Sequence, residues 1–157
     1  QNKVKHLHPV KHGDTVKVGN MEVKAVKTDH TCPTAGFVIK HPKITIGYVA
    51  DGYYYRGQEK YYEGCDLIIF NILVPKGQEP DEKKHMSVDD AIVFVKGFEK
   101  RPKLIVMQHF SFWMIRNNLF KQRKILEDAT KVKTIDAEDF MELNLENFTT
   151  KLLKPAA

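Results

Sequence analysis

The chain has 157 residues and a formal net charge of +5, and 42% of its residues are apolar and 29% charged. This composition excludes a disordered chain, and no apolar run approaches the roughly 20 residues of a membrane span. The length suits one domain covering residues 1–157. The basic balance is compatible with an anionic partner such as nucleic acid or a phosphate ester, although a lysine-rich solvated surface is the more ordinary explanation.

Two cysteines, Cys32 and Cys65, are too few for a disulfide framework. Free thiols and the lack of a visible secretory signal predict a reducing, cytoplasmic setting. Cys32 follows His30 by two residues, so it lies near a metal or is simply a small buried side chain.

The first residues contain three histidines, His6, His8 and His12. On a strand their side chains would share one face, which is compatible with metal binding. Pro9 interrupts the run and no carboxylate accompanies it, so surface or structural roles are the alternative.

Antiparallel strands are predicted for the first half of the chain. Gly19-Asn20 is a hairpin signal, and the apolar residues Met21, Val23 and Ala25 alternate with charged ones, as in a half-buried strand. A tyrosine-rich stretch at 53–62 either packs as a short helix on the sheet or lines a substrate rim. The predicted strands are residues 15–18, 21–29, 35–40 and 43–50.

Strands and helices alternate in the second half. Ser87 is the predicted N-cap of one helix, because Asp89 and Asp90 favour its first turn. A second helix is predicted to begin between Trp113 and Arg116 and to end at Thr130, with an inner face of Ile115, Leu119, Leu126 and Ala129. Further strands are predicted at 66–71, 104–108, 132–135 and 140–145. The fold class is therefore α/β, with a mixed sheet and helices packed on it.

Three of the predicted strands deliver a polar side chain at their C-terminal ends: His30, Asp51 and His109. Imidazole and carboxylate groups suit zinc, and also iron, manganese or nickel. Taken singly, each histidine could be structural and Asp51-Gly52 could be a simple turn.

In this order, the segments GDTVKVGNMEVKAVKTDH, ITIGYVADG, HMSVDDAI and LIVMQHFS resemble the metallo-β-lactamase superfamily of binuclear metal hydrolases over about residues 10–146. The HFS ending and the His-x-Ser that opens the preceding helix are most similar to its phosphodiesterase branch, which includes tRNA 3′-processing nucleases.

The resemblance implies a role for each candidate residue. His30 and His109 would each bind a metal, and Asp51 would bridge the two. His85 would be the catalytic residue that assists proton transfer to the leaving oxygen. The implied cofactor is a divalent metal, zinc before manganese or iron, and the nucleophile is a hydroxide generated at the metals.

One part of the family pattern is missing from the sequence. The HxHxDH signature, which lies upstream in the family, is absent, and HLHPVKH does not match it. Asn71 stands where many relatives have an acidic residue. The chain thus looks like the C-terminal half of an αββα sandwich, with an incomplete site.

We therefore expect weak metal affinity, and either a partner that supplies the first half or a homo-oligomer that covers an apolar sheet face. The alternatives are a catalytically inactive interaction module and a nucleic-acid-binding protein.

Overall fold

The structure is a computed structural model that describes residues 7–78 and 85–153. The strands are β1 Thr15–Val18, β2 Met21–Lys27, β3 Ala35–His41, β4 Ile44–Val49, β5 Leu67–Asn71, β6 Leu104–Gln108, β7 Lys133–Asp136, β8 Met141–Leu143 and β9 Thr150–Leu152. The helices are a 3₁₀ turn Gln58–Tyr62, α1 Val88–Lys96, α2 Phe112–Arg116 and α3 Leu119–Thr130.

Strands β1 to β7 form one sheet in chain order. The pairs from β1 to β4 are antiparallel, and the pairs from β4 to β7 are parallel. The predicted mixed α/β sheet is confirmed. Because β2 runs parallel to β4, the C-terminal ends of β2, β4, β5 and β6 all meet at one edge.

Alternation along the strands gives the sheet two apolar faces. One is covered by α1 and α3 and contains the larger core, with Ile68, Phe70 and Met107 fully buried. The other carries a smaller cluster around Leu67 and Leu104, on which the β8–β9 hairpin packs through side chains such as Leu143 and Phe148.

The predicted second helix is in fact two helices. Asn118 adopts a left-handed backbone with φ 64°, and its side chain caps α3 by accepting a hydrogen bond from the Lys121 backbone N–H. This break changes the direction of the chain, so the apolar stripe does not continue across it. The inner-face prediction holds for Leu126, which is buried, and is wrong for Ile115, which is exposed.

The tyrosine-rich stretch packs against the helix layer. Tyr62, in the 3₁₀ turn, is fully buried and donates to the Tyr48 carbonyl oxygen at 3.2 Å. Burial raises the pKa of Tyr55 to about 12, and its hydroxyl donates to the Lys27 carbonyl oxygen. Burial, together with the Glu59 carboxylate that its hydroxyl contacts, raises the pKa of Tyr54.

In the part of the chain that the structure describes, no helix is long and apolar enough to cross a membrane. Of the N-terminal histidines, His6 falls outside the described residues, and His8 and His12 are exposed.

Candidate metal centre

Four polar side chains lie together at the sheet edge where the C-terminal strand ends meet. His30 follows β2, Asp51 follows β4, His109 follows β6, and His85 precedes α1. The structure thus brings together all four residues that the sequence singled out, with Asp51 contacting each histidine. Exposure rises across the cluster, because the side chain of His30 is 13% exposed and that of His109 is 52% exposed.

The loop after β4 is joined to the end of β2 by backbone contact. The Tyr53 N–H donates to the Asp29 carbonyl oxygen at 3.0 Å. A Cβ at Gly52 would lie 2.5 Å from that oxygen, so only glycine permits the approach. The Asp-Gly pair therefore places Asp51 beside His30.

His85 is positioned by the start of α1. Ser87 and Asp90 form a reciprocal capping box: the Ser87 hydroxyl accepts from the Asp90 N–H, and the Asp90 carboxylate accepts from the Ser87 N–H. The carbonyl oxygen of Met86 accepts from the Leu73 N–H, which fixes the residue next to His85 on the loop after β5.

His109 has a left-handed backbone, with φ 60°. This conformation is costly for a residue with a side chain, and such strain concentrates at functional sites. Ser111 holds the bend: its hydroxyl donates to the Leu73 carbonyl oxygen and accepts from the Met114 N–H, capping α2.

The two oxygens of Asp51 have different partners. Oδ1 lies 2.8 Å from Nδ1 of His85, which is a hydrogen-bond distance. Oδ2 lies 3.5 Å from Nε2 of His30 and 3.4 Å from Nε2 of His109. One oxygen of Asp51 is therefore hydrogen-bonded to His85, and the other lies at a longer distance from both His30 and His109.

Comparison with known proteins identifies the family of this chain. The family model described as "Beta-lactamase superfamily domain" matches residues 1–110, well over half of the chain. The chain belongs to the metallo-β-lactamase superfamily.

Relatives of known structure share this fold. The metallo-beta-lactamase fold protein YhfI from Bacillus subtilis has a TM-score of 0.70 and 18% identity, over 82% of this chain and 52% of that one. Human tRNase Z, short form, has a TM-score of 0.58 and 20% identity, over 88% of this chain and 46% of that one. At these identities the likeness shows the fold alone.

Among curated sequences, an uncharacterized protein of Methanocaldococcus jannaschii is 24% identical over 148 residues, which is 94% of this chain and 54% of that protein. The chain spans about half the length of the relatives it matches.

Metallo-β-lactamase proteins usually bind divalent metals, and the donor spacing in this chain fits one. Metal–nitrogen and metal–oxygen bonds of about 2.0–2.1 Å in a tetrahedral site put neighbouring ligand atoms about 3.3 Å apart. The distances from Asp51 Oδ2 to the two Nε2 atoms, 3.5 and 3.4 Å, are close to that value. The 2.8 Å contact of His85 is too short for two ligands of one tetrahedral ion.

A second observation also fits a cation. His30 Nε2 is buried and has no hydrogen-bond partner among the described residues, although it faces the Asp51 carboxylate. A buried polar atom without a partner is costly, and coordination of an ion would remove that cost.

A different grouping of donors is also possible. His30, Asp51 and His85 each offer a ligand atom within 4.8 Å of the other two, a set that leaves out His109. No such set joins His30, Asp51 and His109 among the described residues, so the coordination-edge spacing holds only between Asp51 Oδ2 and each of the two Nε2 atoms; this fits a carboxylate placed between two cation positions.

Cys32 lies beside the ring nitrogen of His30 that does not face Asp51. Its exposed thiol is 3.3 Å from His30 Nδ1, whereas Asp51 faces Nε2. The two nitrogens of an imidazole point in different directions, so Cys32 contacts the ring without joining the ligand set. The Cys32 backbone N–H donates to the same Nδ1 at 3.3 Å, and the Thr31 hydroxyl lies 3.4 Å from it, so Nδ1 is an acceptor in this arrangement.

A polar row beside the centre was not singled out as a unit by the sequence. The Gln108 amide donates to Asn71 Oδ1 at 2.9 Å, and the Asn71 amide donates to the Tyr48 hydroxyl at 3.4 Å. The three side chains lie on neighbouring strands, near the end of the sheet that carries Asp51 and the three histidines, on the face away from α1. Asn71 is buried and is part of this row.

Proposed function

We propose that this chain carries part of a metal-dependent hydrolase site that acts on phosphodiesters. The observation that carries the proposal is the convergence of three imidazoles on the Asp51 carboxylate, with two of them at the spacing of metal ligands. His30 and His109 would each bind a divalent cation, with Asp51 as the ligand common to both. Zinc is preferred to manganese or iron, because imidazole and carboxylate suit zinc.

The bound cation would supply Lewis-acid chemistry, lowering the pKa of water and neutralising charge that develops on a phosphoryl oxygen. The protein's own contribution is to orient the donors. Asp51 would be a ligand of the cation, while its Oδ1 is hydrogen-bonded to His85 and holds that ring in place. The bend at His109 brings Nε2 to the same carboxylate oxygen.

His85 would move the proton. With Nδ1–H donating to Asp51 Oδ1, the free ring atom is Nε2. When both ring nitrogens are protonated, the proton on Nε2 can pass to the leaving alkoxide. The ring is then neutral, and its Nδ1–H still donates to Asp51. His85 is half-buried, so its ring is open to a substrate.

Three features support a phosphodiester rather than another ester. The HFS ending and the helix-opening His85 resemble the phosphodiesterase branch, one neighbour of the fold is human tRNase Z, and the net charge of +5 favours an anionic substrate.

The isolated chain is expected to bind metal weakly and to hydrolyse little or nothing. His30, Asp51 and His109 are three ligands for a site that normally holds two metals, and the sequence has no HxHxDH motif to supply the others. Rapid, chelator-sensitive hydrolysis of bis(4-nitrophenyl) phosphate by this chain alone would contradict the incomplete site.

Zinc and cobalt titrations of the chelator-treated chain test the ligand assignment, by calorimetry and by the visible absorption of bound cobalt. His30→Ala, Asp51→Asn and His109→Ala should each weaken binding by at least about 10-fold, since losing a ligand costs no less than losing an outer partner. His41→Ala, which removes a histidine outside both the cluster and the N-terminal run, is the matched control and should bind like the parent.

His85→Ala separates a proton carrier from a ligand. We expect it to weaken metal binding less than His109→Ala does, because His85 is hydrogen-bonded to Asp51 Oδ1, whereas Oδ2 is the oxygen near His30 and His109. An equal loss in the two variants would make His85 a ligand. Unchanged affinity in Asp51→Asn would refute the metal centre.

A further inference from the structure

An exposed aromatic surface begins three residues after His109. It consists of Phe112, Trp113 and Ile115 on α2 and Phe120 at the start of α3, with side chains 67%, 41%, 52% and 62% exposed. We call these residues, together with Arg116, the aromatic surface. Four large apolar side chains in nine residues form a concentration that solvent disfavours.

The position of α2 explains why these side chains face outward. Ser111 caps the helix, and Met114 is its one fully buried residue. One turn of helix can bury only one side, so Phe112, Trp113 and Ile115 remain on the solvent side. The break at Asn118 then leaves Phe120 exposed as well.

Cations lie over two of the rings. The guanidinium of Arg116 is 4.2 Å from the centre of the Phe112 ring, and that of Arg123 is 4.8 Å from the Phe120 ring. Arg123 is bound to Asp136 at 2.9 Å, whereas Arg116 takes part in none of the ion pairs found among the described residues. Its charge is therefore available to an anion.

We propose that the aromatic surface binds single-stranded nucleic acid by stacking bases on Phe112, Trp113 and Phe120, with Arg116 contacting phosphate. Stacking on aromatic side chains beside a cation is how proteins hold single strands without reading their sequence. The inference rests on the proposed function and deepens it: the phosphodiester would belong to a polynucleotide, not to a small ester.

Two features favour this occupant over a protein partner. The aromatic surface begins at Phe112, three residues after His109, so it starts at the bend of the chain that carries this candidate ligand. Arg116 lies over the Phe112 ring, and the exposed Lys121 follows Phe120 in the chain. Neither takes part in the ion pairs found among the described residues. An aromatic patch with free cations suits a polyanion.

The tryptophan provides a direct measurement, because Trp113 is the only one in the chain. Its fluorescence should be quenched on titration with an oligo(U) of about twelve nucleotides, a length within the range that such surfaces hold. The titration is done in chelator, so that cleavage does not interfere. A duplex of the same length should quench much less, because its bases are already stacked.

Variants identify the stacking residues. Phe112→Ala and Phe120→Ala should each weaken oligo(U) binding about 5- to 150-fold while keeping Trp113 as the reporter. Arg116→Ala should weaken binding and lower the salt slope by about 0.7 per lost phosphate contact. The matched control is Val93→Ala on α1, an exposed apolar residue outside the aromatic surface, which should bind normally.

Three results would overturn the inference. They are no quenching by oligo(U), equal binding of the duplex, and a Phe112→Ala variant that binds normally. A Phe112→Ala variant that loses self-association in light scattering, without a change in quenching, would assign the surface to protein contact. Metal titrations of the same preparation keep the two proposals apart, since normal metal binding without oligo(U) binding refutes only this one.

Discussion

Gly36 shows how one residue can set the distance between two layers. It lies in β3, under the 3₁₀ turn, and a Cβ there would be 2.1 Å from the Tyr62 hydroxyl oxygen and 2.8 Å from the Tyr48 carbonyl oxygen. The second of these atoms is backbone within the sheet, so it cannot move aside cheaply. Glycine thus allows Tyr62 to reach Tyr48.

Gly36→Ala should destabilise the chain by about 1–3 kcal/mol, the usual cost of overpacking. Urea unfolding followed by circular dichroism measures this free energy. Adding Tyr62→Phe removes the atom at the shorter distance and should recover part of the loss relative to the sum of the single changes. A Gly36→Ala variant as stable as the parent would contradict the packing.

At the same scale, the sequence predicted which residues form the centre better than how they are arranged. His30, Asp51 and His109 follow predicted strands, one with alternating apolar residues and two with more continuous apolar runs, and strands that run in one direction bring their ends to one edge. The left-handed backbone of His109 and the separate roles of the two Asp51 oxygens depend on contacts between distant segments. No local pattern encodes those contacts.

Among the elements, Asp66 joins the starts of three strands. Asp66 directly precedes β5. Its carboxylate accepts from the N–H of Thr45, the second residue of β4, at 3.0 Å, and contacts Lys103, the residue before β6, at 2.9 Å. The Thr45 backbone hydrogen bond, and then Lys103, hold the pKa of the Asp66 carboxyl below its ordinary value.

This pKa shift predicts a pH dependence of stability. Because the folded pKa is below the unfolded value, the stabilisation is fully present above about pH 4 and is lost as the pH falls through the folded pKa. Between about pH 5 and pH 3, the parent should therefore lose more unfolding free energy than Asp66→Asn, which has no such charge. Urea melts across this range test it, and parallel curves for the two proteins would argue against it.

The helices show where element boundaries escape the sequence. The apolar spacing around residues 115–129 predicts one helix, but Asn118 takes a positive φ and caps a new one. Asparagine tolerates that conformation in many settings, so its presence alone does not announce a break. In the hairpin, β8 lies within the strand predicted at 140–145, whereas β9 was not predicted. Strand β9 is exposed, so no alternation of buried and exposed residues indicates it.

At the scale of the whole molecule, the sheet face away from α1 remains partly uncovered. The β8–β9 hairpin packs over Leu67 and Leu104, but Phe37, Ile39 and Ile46 are only half-buried. Their register across β3 and β4 places them side by side. An apolar sheet face of this kind needs another surface to cover it.

We expect the purified chain to form a homo-oligomer or to require a partner chain. Light scattering after gel filtration measures the mass, and a well-behaved monomer would count against this expectation. In an oligomer, Ile39→Lys should lower the mass if this face is the contact, because a charge at a buried apolar interface is costly. Val93→Lys, an exposed position on α1, should leave the mass unchanged.

Because of the position of His30, metal binding at the proposed centre would depend on strand pairing between distant parts of the chain. His30, a proposed ligand, follows a strand of the antiparallel half of the sheet, and His109 follows a strand of the parallel half. Strands β3 and β4 must therefore pair before the two can meet. An ion that binds only this assembled arrangement shifts the folding equilibrium by mass action. It would therefore stabilise the pairings between residues distant in sequence, which form slowly and cost the most loop entropy. The two halves of the sheet would then unfold as one cooperative unit.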